Sequence, residues 1–286
     1  MVTFHDPRCA EYGSSMRPEQ PARVISSAGH LRRHHADWSW RQPTEADEAA
    51  LLRAHTPAHL ARLEQGRDFD SDTPFFPGIA AHARRAAGSA IGAAECAYTR
   101  KEPTFSLMRP PGHHATSSQA MGFCYLNSIA IAALDAVERL GVKRLAVWDF
   151  DAHHGNGTEA ILRGRSNFLF SSVHQFPGYP GTGTRSFENC RNRPVPPETP
   201  ASQHLAALRE SFDAVVAFKP ELILVSAGFD AYVDDPITDM TLEISDFETL
   251  GRWLGESGVP TAGILEGGYS GDLALLIDAF LSAWKK

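Results

Sequence analysis

The stretch Arg144-Leu145-Ala146-Val147-Trp148-Asp149-Phe150-Asp151-Ala152-His153-His154-Gly155-Asn156-Gly157 decides the fold. Its opening, Arg144–Trp148, is a short apolar run suited to a strand buried on both faces. Directly after it the chemistry turns to acids, imidazoles and glycines. Three other segments repeat the change. Thr104–Met108 runs into Arg109-Pro110-Pro111-Gly112-His113-His114, Glu221–Ser226 into Ala227-Gly228-Phe229-Asp230, and Pro260–Leu265 into Glu266-Gly267-Gly268-Tyr269. Asn167–Val173 reads as a fifth strand. Helical patterns fall at Glu19–Arg33, Glu45–Arg53, Ala58–Gln65, Gly78–Tyr98, Asn127–Leu140, Gln203–Phe218, Asp246–Ser257 and Gly271–Trp284. Strands alternating with helices predict an α/β chain with a parallel sheet covered on both faces. Such sheets bind ligands beyond the carboxyl ends of their strands, so His, Asp and Tyr side chains from four segments should meet at one sheet edge.

Length and composition agree. The 286 residues allow one large domain or two small ones, and no repeat or linker divides them, so residues 1–286 are read as a single catalytic domain. Arg193–Pro200, rich in proline, suits either a boundary or a strand–helix loop. No apolar run approaches the roughly 20 residues of a membrane span. The N-terminus has no basic start followed by an apolar stretch, as a secretory signal would. Lys and Arg number 27 against 34 Asp and Glu, and the net charge of −7 is spread along the chain. This disfavours nucleic acid as a partner. Cys9, Cys96, Cys124 and Cys190 form no CxxC and read as reduced thiols. A cytoplasmic enzyme is expected.

Asp149, Asp151 and His153 are spaced by two, and in extended backbone would share one side. Two carboxylates and an imidazole suit a divalent metal, with Asp230 supplying a carboxylate from the neighbouring strand. Otherwise the acids merely cap the next helix and His153 packs. Most paired histidines lie on surface loops, and His34-His35 is read that way. His113-His114 differs, because Pro110, Pro111 and Gly112 stiffen and turn the chain before it. A fixed neutral imidazole near a metal is a good general base. Gly267-Gly268-Tyr269 reads either as a turn with a half-buried tyrosine or as a close backbone approach that offers a hydroxyl to a polarised carbonyl. Gly181-Thr182-Gly183-Thr184 lacks the lysine and helix of a phosphate loop.

Five of these pieces, in this order, resemble the zinc-dependent histone deacetylase superfamily. They are Arg109–His114, Met121-Gly122-Phe123-Cys124-Tyr125-Leu126-Asn127, Asp149–Thr158, Ser226–Asp230 and Glu266–Tyr269. The form with Asn156 and Glu266 is similar to the class II and bacterial branch, which includes acetylpolyamine amidohydrolases. The resemblance implies an arginase-like three-layer α/β fold around a mainly parallel sheet of eight strands. It also implies zinc held by Asp151, His153 and Asp230, and a set of two carboxylates and one imidazole is hard enough to take Fe²⁺ as well. By the same match, His114 would be the general acid–base and His113 its electrostatic partner, oriented by Asp149. Asn156 would stand behind His114, and Tyr269 would bind the substrate carbonyl. Gly122, Phe123, Tyr179 and Ile237 would line the acyl tunnel with Asp72 at its rim. A structural potassium ion would use Asp149, Asp151, His153, Ser172 and Val173.

The reaction so implied is hydrolysis of an acyl amide, with an acyl-lysine or a small acylated amine as substrate. The family's usual His-Pro-Glu-Arg-Pro is Arg17-Pro18-Glu19-Gln20-Pro21 here, and the Tyr179 loop is short, so the rim should differ. The same residues could serve an acetylpolyamine amidohydrolase or a non-catalytic acyl-amine binder. An arginase-type ureohydrolase would need a second metal and further acids, yet Ala231-Tyr232 follow Asp230. None of these motifs speaks to oligomeric state.

Overall fold

The computed structural model describes residues Met1–Lys285. The strands are β1 (Val2–Phe4), β2 (Ser39–Arg41), β3 (Thr104–Ser106), β4 (Leu145–Asp149), β5 (Phe168–Gln175), β6 (Cys190–Val195), β7 (Leu222–Ala227) and β8 (Thr261–Leu265). They form one eight-stranded sheet in the order β2-β1-β3-β8-β7-β4-β5-β6. Every neighbouring pair is parallel.

Alternation in the central strands divides the core into two. Leu145, Val147, Leu222 and Leu224 face one layer; Ala146, Trp148, Ile223 and Val225 face the other. The first layer is built on α4 (Ile79–Arg100) and α5 (Ser128–Arg139), with α2 (Glu48–Leu52), α3 (Pro57–Arg62) and α6 (Asn156–Leu162) beside them. The second comprises α1 (Ala22–His34), α7 (Ala201–Ala217), α8 (Ile244–Glu256) and α9 (Leu273–Lys285). The expected three-layer α/β fold is present.

Three strands and one helix escaped the sequence reading. β1 and β2 are three residues long, too short for a period of two to register. β6 carries Arg191, Arg193 and Pro194 because it is the sheet's edge, where a missing N–H and charged side chains are tolerated. Arg193–Val195 are therefore strand rather than boundary. Helix α6 begins inside the Asp/His/Gly run. Two readings need correction. β4 ends at Asp149, so Asp151 and His153 lie in the loop beyond it, not in extended strand with Asp149. His34-His35 is not a surface-loop pair: His34 ends α1, and His35 stacks on Trp38 at 4.0 Å.

Candidate active site

Strands β3, β8, β7 and β4 are consecutive neighbours, and the segment after each bends over the same sheet edge. Together they bring His113-His114, Tyr269, Asp230 and Asp151–His153 into one place. His153 Nδ1 lies 2.9 Å from Asp230 Oδ2 and 3.2 Å from Asp151 Oδ1. One ligand atom from each of the three lies within 4.8 Å of the others. Backbone donors aim the remaining carboxylate oxygens: Ala152 N–H donates to Asp230 Oδ1 at 2.7 Å and Gly267 N–H to Asp151 Oδ2 at 2.7 Å. Gly228 and Gly267 are required here. A Cβ on Gly228 would collide with the Asp151 carboxylate, and one on Gly267 with those of Asp230 and Asp151.

This donor set fits a divalent cation. Asp151 and Asp230 are both fully buried, and two buried carboxylates need compensating positive charge. Burial opposes charge on His153, yet Asp230 and Asp151 hold its pKa up to about 10. Burial, then the charge of Asp151, pushes Asp230 up. Unaided, the cluster would therefore draw in protons, the place that a metal of charge two takes in such a site.

The two adjacent histidines have opposite environments. His113 Nδ1 is 3.2 Å from Asp149 Oδ2. Burial disfavours its cation, but Asp151 and Asp149 outweigh that and raise its pKa to about 10. His114 instead donates Nδ1–H to the neutral Asn156 Oδ1 at 2.8 Å. Burial, reinforced by His113 and His153, holds His114 well below the ordinary imidazole range. Its Nε2 then carries a free lone pair.

A cavity of about 290 Å³ opens over these groups. His114, His153 and Tyr269 form its floor, with Gly122, Phe123, Tyr179 and Ile237 along the walls and Asp72 at the exposed mouth. All five expected tunnel residues line it. Phe123 has φ +66, rare for a bulky side chain, and Thr73 Oγ1 holds its N–H at 3.1 Å. Its ring meets Tyr269 edge-on at 5.7 Å. Asp149 pairs with Ser172 across β4 and β5, which brings the two expected potassium segments side by side.

Several supporting residues were not singled out. Arg17 and Pro18, noted only as part of a departure that should alter the rim, line the cavity directly. Asp235 Oδ2 accepts the Tyr269 N–H at 2.7 Å, and Arg23 lies over the Tyr269 ring at 4.7 Å. Glu266, read only as a branch marker, accepts the N–H groups of Gly112 and His113 at 2.6 and 3.1 Å, fixing the turn that presents both histidines. Burial raises its pKa to about 7. Arg109 and Glu19 form a buried pair behind that turn. The local signal for it was Glu19 itself, retained within the otherwise altered Arg17–Pro21 segment.

Fold and site together define an α/β protein with a candidate divalent-metal centre at the carboxyl edge of its sheet. The histone deacetylase domain matches residues 17–283, and the chain belongs to that family. It is 35% identical to a probable deacetylase of Archaeoglobus fulgidus over 96% of this chain and 82% of the relative. To the histone deacetylase-like amidohydrolase of Pseudomonas aeruginosa it is 36% identical, over 80% of this chain and 66% of that protein. The crystal structure of an acetylpolyamine aminohydrolase from Burkholderia pseudomallei superposes with a TM-score of 0.92 at 26% identity, covering 99% of this chain and 98% of that one. No helix among the described residues is long and apolar enough to cross a membrane.

Proposed function

We propose that this chain hydrolyses short acyl amides of lysine-like amines, using one zinc ion held by Asp151, His153 and Asp230. The observation that carries this reading is the pairing at the cavity floor: a neutral imidazole, His114, and a tyrosine, Tyr269, beside a buried dicarboxylate–imidazole cluster. Bound there, zinc would polarise the amide carbonyl and lower the pKa of water; Fe²⁺ suits the same ligands.

The chain's own residues supply the rest. His114 Nε2 takes the proton of the attacking water and returns it to the leaving amine. His113, held in its charged form by Asp151 and Asp149, stabilises negative charge that develops nearby without competing for that proton. Tyr269 donates its hydroxyl to the forming oxyanion, held in place by Asp235 and Arg23. Gly122, Phe123 and Tyr179 enclose an extended apolar chain. A potassium ion bound by Asp149, Asp151, His153, Ser172 and Val173 would stiffen the loop that carries the metal ligands.

Ile237 favours acyl-lysine over acetylated polyamines. It lines the cavity where a cationic chain would have to pass, and desolvating a charge against isoleucine has no local compensation. Asp72 at the mouth attracts cations from a distance, but that field is screened over about 8 Å at physiological salt. The test is kcat/KM for an acetyl-lysine peptide against N-acetylputrescine and N8-acetylspermidine. The peptide should win; a tenfold preference for the polyamines, about 1.4 kcal/mol, would show that the acidic mouth outweighs Ile237.

A further inference from the structure

A second group of imidazoles lies at the seam between α1 and α9, outside the catalytic arrangement. His30 and His34 are one helical turn apart, so both project from one face of α1, and their rings stack at 4.1 Å. From α9, Asp278 Oδ2 approaches His30 Nε2 at 2.7 Å, and Asp278 Oδ1 approaches His35 Nε2 at 2.5 Å. One ligand atom from each of His30, His34 and Asp278 lies within 4.8 Å of the others.

The surroundings are those of ligands rather than of a simple ion pair. His34 Nδ1–H donates to the carbonyl of His30 at 2.9 Å, leaving Nε2 with its lone pair. Metal-binding histidines characteristically donate their second nitrogen in this way. Ser282 Oγ donates to Asp278 Oδ1 at 2.9 Å and orients the carboxylate. The ring of His35 is fixed against Trp38. A proton shared between Asp278 and two imidazoles would explain His30 and His35, but it gives no role to His34.

We infer that the α1–α9 seam carries a second metal site, in which His30, His34 and Asp278, with His35 beside them, take a borderline divalent transition metal such as Zn²⁺ or Ni²⁺. An i, i+4 histidine pair grips one ion from a single helix face, and imidazole with carboxylate suits these metals rather than Mg²⁺ or Ca²⁺, which prefer oxygen ligands. The hydrogen-bonded separations would widen to about 3.3 Å around an ion with bonds of about 2.0 Å, and the stacked rings of His30 and His34 would turn so that their in-plane lone pairs converge on it. Side-chain exposures of 15% for His30, 20% for His35 and 22% for Asp278 leave an entry path. The ion would staple α1 to the last helix of the chain. This site does not depend on the catalytic reading.

The full chain is stripped with chelator, titrated with Zn²⁺, desalted and counted by elemental analysis. Two zinc ions per chain are expected, falling to one in His30→Gln/His34→Gln with kcat/KM of the reloaded variant unchanged. Zinc at about 100 times the dissociation constant should raise Tm by about 5 °C more in the parent than in the variant. Asp230→Ala should retain one zinc, lost on adding the two glutamines. Equal zinc content in parent and His30→Gln/His34→Gln would overturn the site. If the double variant folds poorly, exposed His34→Gln serves alone: it must weaken this zinc at least tenfold, and unchanged affinity overturns the inference. A catalytic ion lost in Asp230→Ala, with no change on altering His30 and His34, would sink this site and leave the catalytic reading standing.

Discussion

Replacing Asn156 with Asp puts a carboxylate where a neutral amide now accepts the Nδ1–H of His114 at 2.8 Å, with little change of shape. At present burial, then His113 and His153, hold His114 well below the ordinary imidazole range. Opposite unit charges about 4 Å apart attract by about 4 kcal/mol at an effective dielectric of about 20. Desolvating the new carboxylate offsets part of this. A carboxylate so placed typically raises an imidazole pKa by about 1–3 units, or about 1.4–4 kcal/mol. His114 is the proposed base, so it must be neutral to work. The acid limb of kcat/KM should therefore move up by about one to three pH units, with activity lost first at the acid end. The assay follows kcat/KM for an acetyl-lysine peptide from about pH 5 to about pH 9, with Asn156→Ala as a charge-free control. An acid limb that stays put in Asn156→Asp, in a folded protein, would refute the assignment of His114 as the base.

Tyr269→Phe should lower kcat by about 10²–10³-fold, with little change in KM or Tm, because the hydroxyl bond strengthens only in the transition state. Steady-state kinetics beside a melting curve check this. Gly267→Ala forces a Cβ into the Asp151 and Asp230 carboxylates, so zinc affinity should fall at least about tenfold, read by competition with a fluorescent chelator. His204 on α7 is 1% exposed with neither ring nitrogen hydrogen-bonded, and burial lowers its pKa to about 4. The unfolded chain thus takes up a proton that the folded chain refuses, and stability falls as pH drops from about 6.5 towards 4, by about 3 kcal/mol in all. His204→Leu should remove that slope and be more stable than the parent by about 2 kcal/mol near pH 5 in denaturant titrations; parallel stability–pH curves would contradict it.

The sheet was legible wherever strands were apolar on both faces. Residues 144–148, 221–226 and 260–265 announce themselves because both helical layers press on them. The edge strands β2 and β6 gave little signal because part of each faces solvent, and β1, though buried between β2 and β3, is only three residues long. The residues meant for chemistry were legible because acids and imidazoles directly after apolar runs are costly unless used. The groups that hold them were not. Glu266 reaches back across 154 positions to Gly112, and Arg109 pairs with Glu19 across 90. Local pattern carries no trace of partners so distant. The divergence of His113 and His114 likewise depends on Asp149 and Asn156, which only the folded chain sets behind them.

Acetate release from an acetyl-lysine peptide by the chelator-stripped chain, before and after one equivalent of Zn²⁺, tests the central claim most directly. The stripped protein should be inactive. Zinc should restore turnover in the parent but not in Asp230→Ala, which lacks one of the two carboxylates clustered with His153. Equal turnover with and without metal, or full zinc-dependent turnover in Asp230→Ala, would contradict the account.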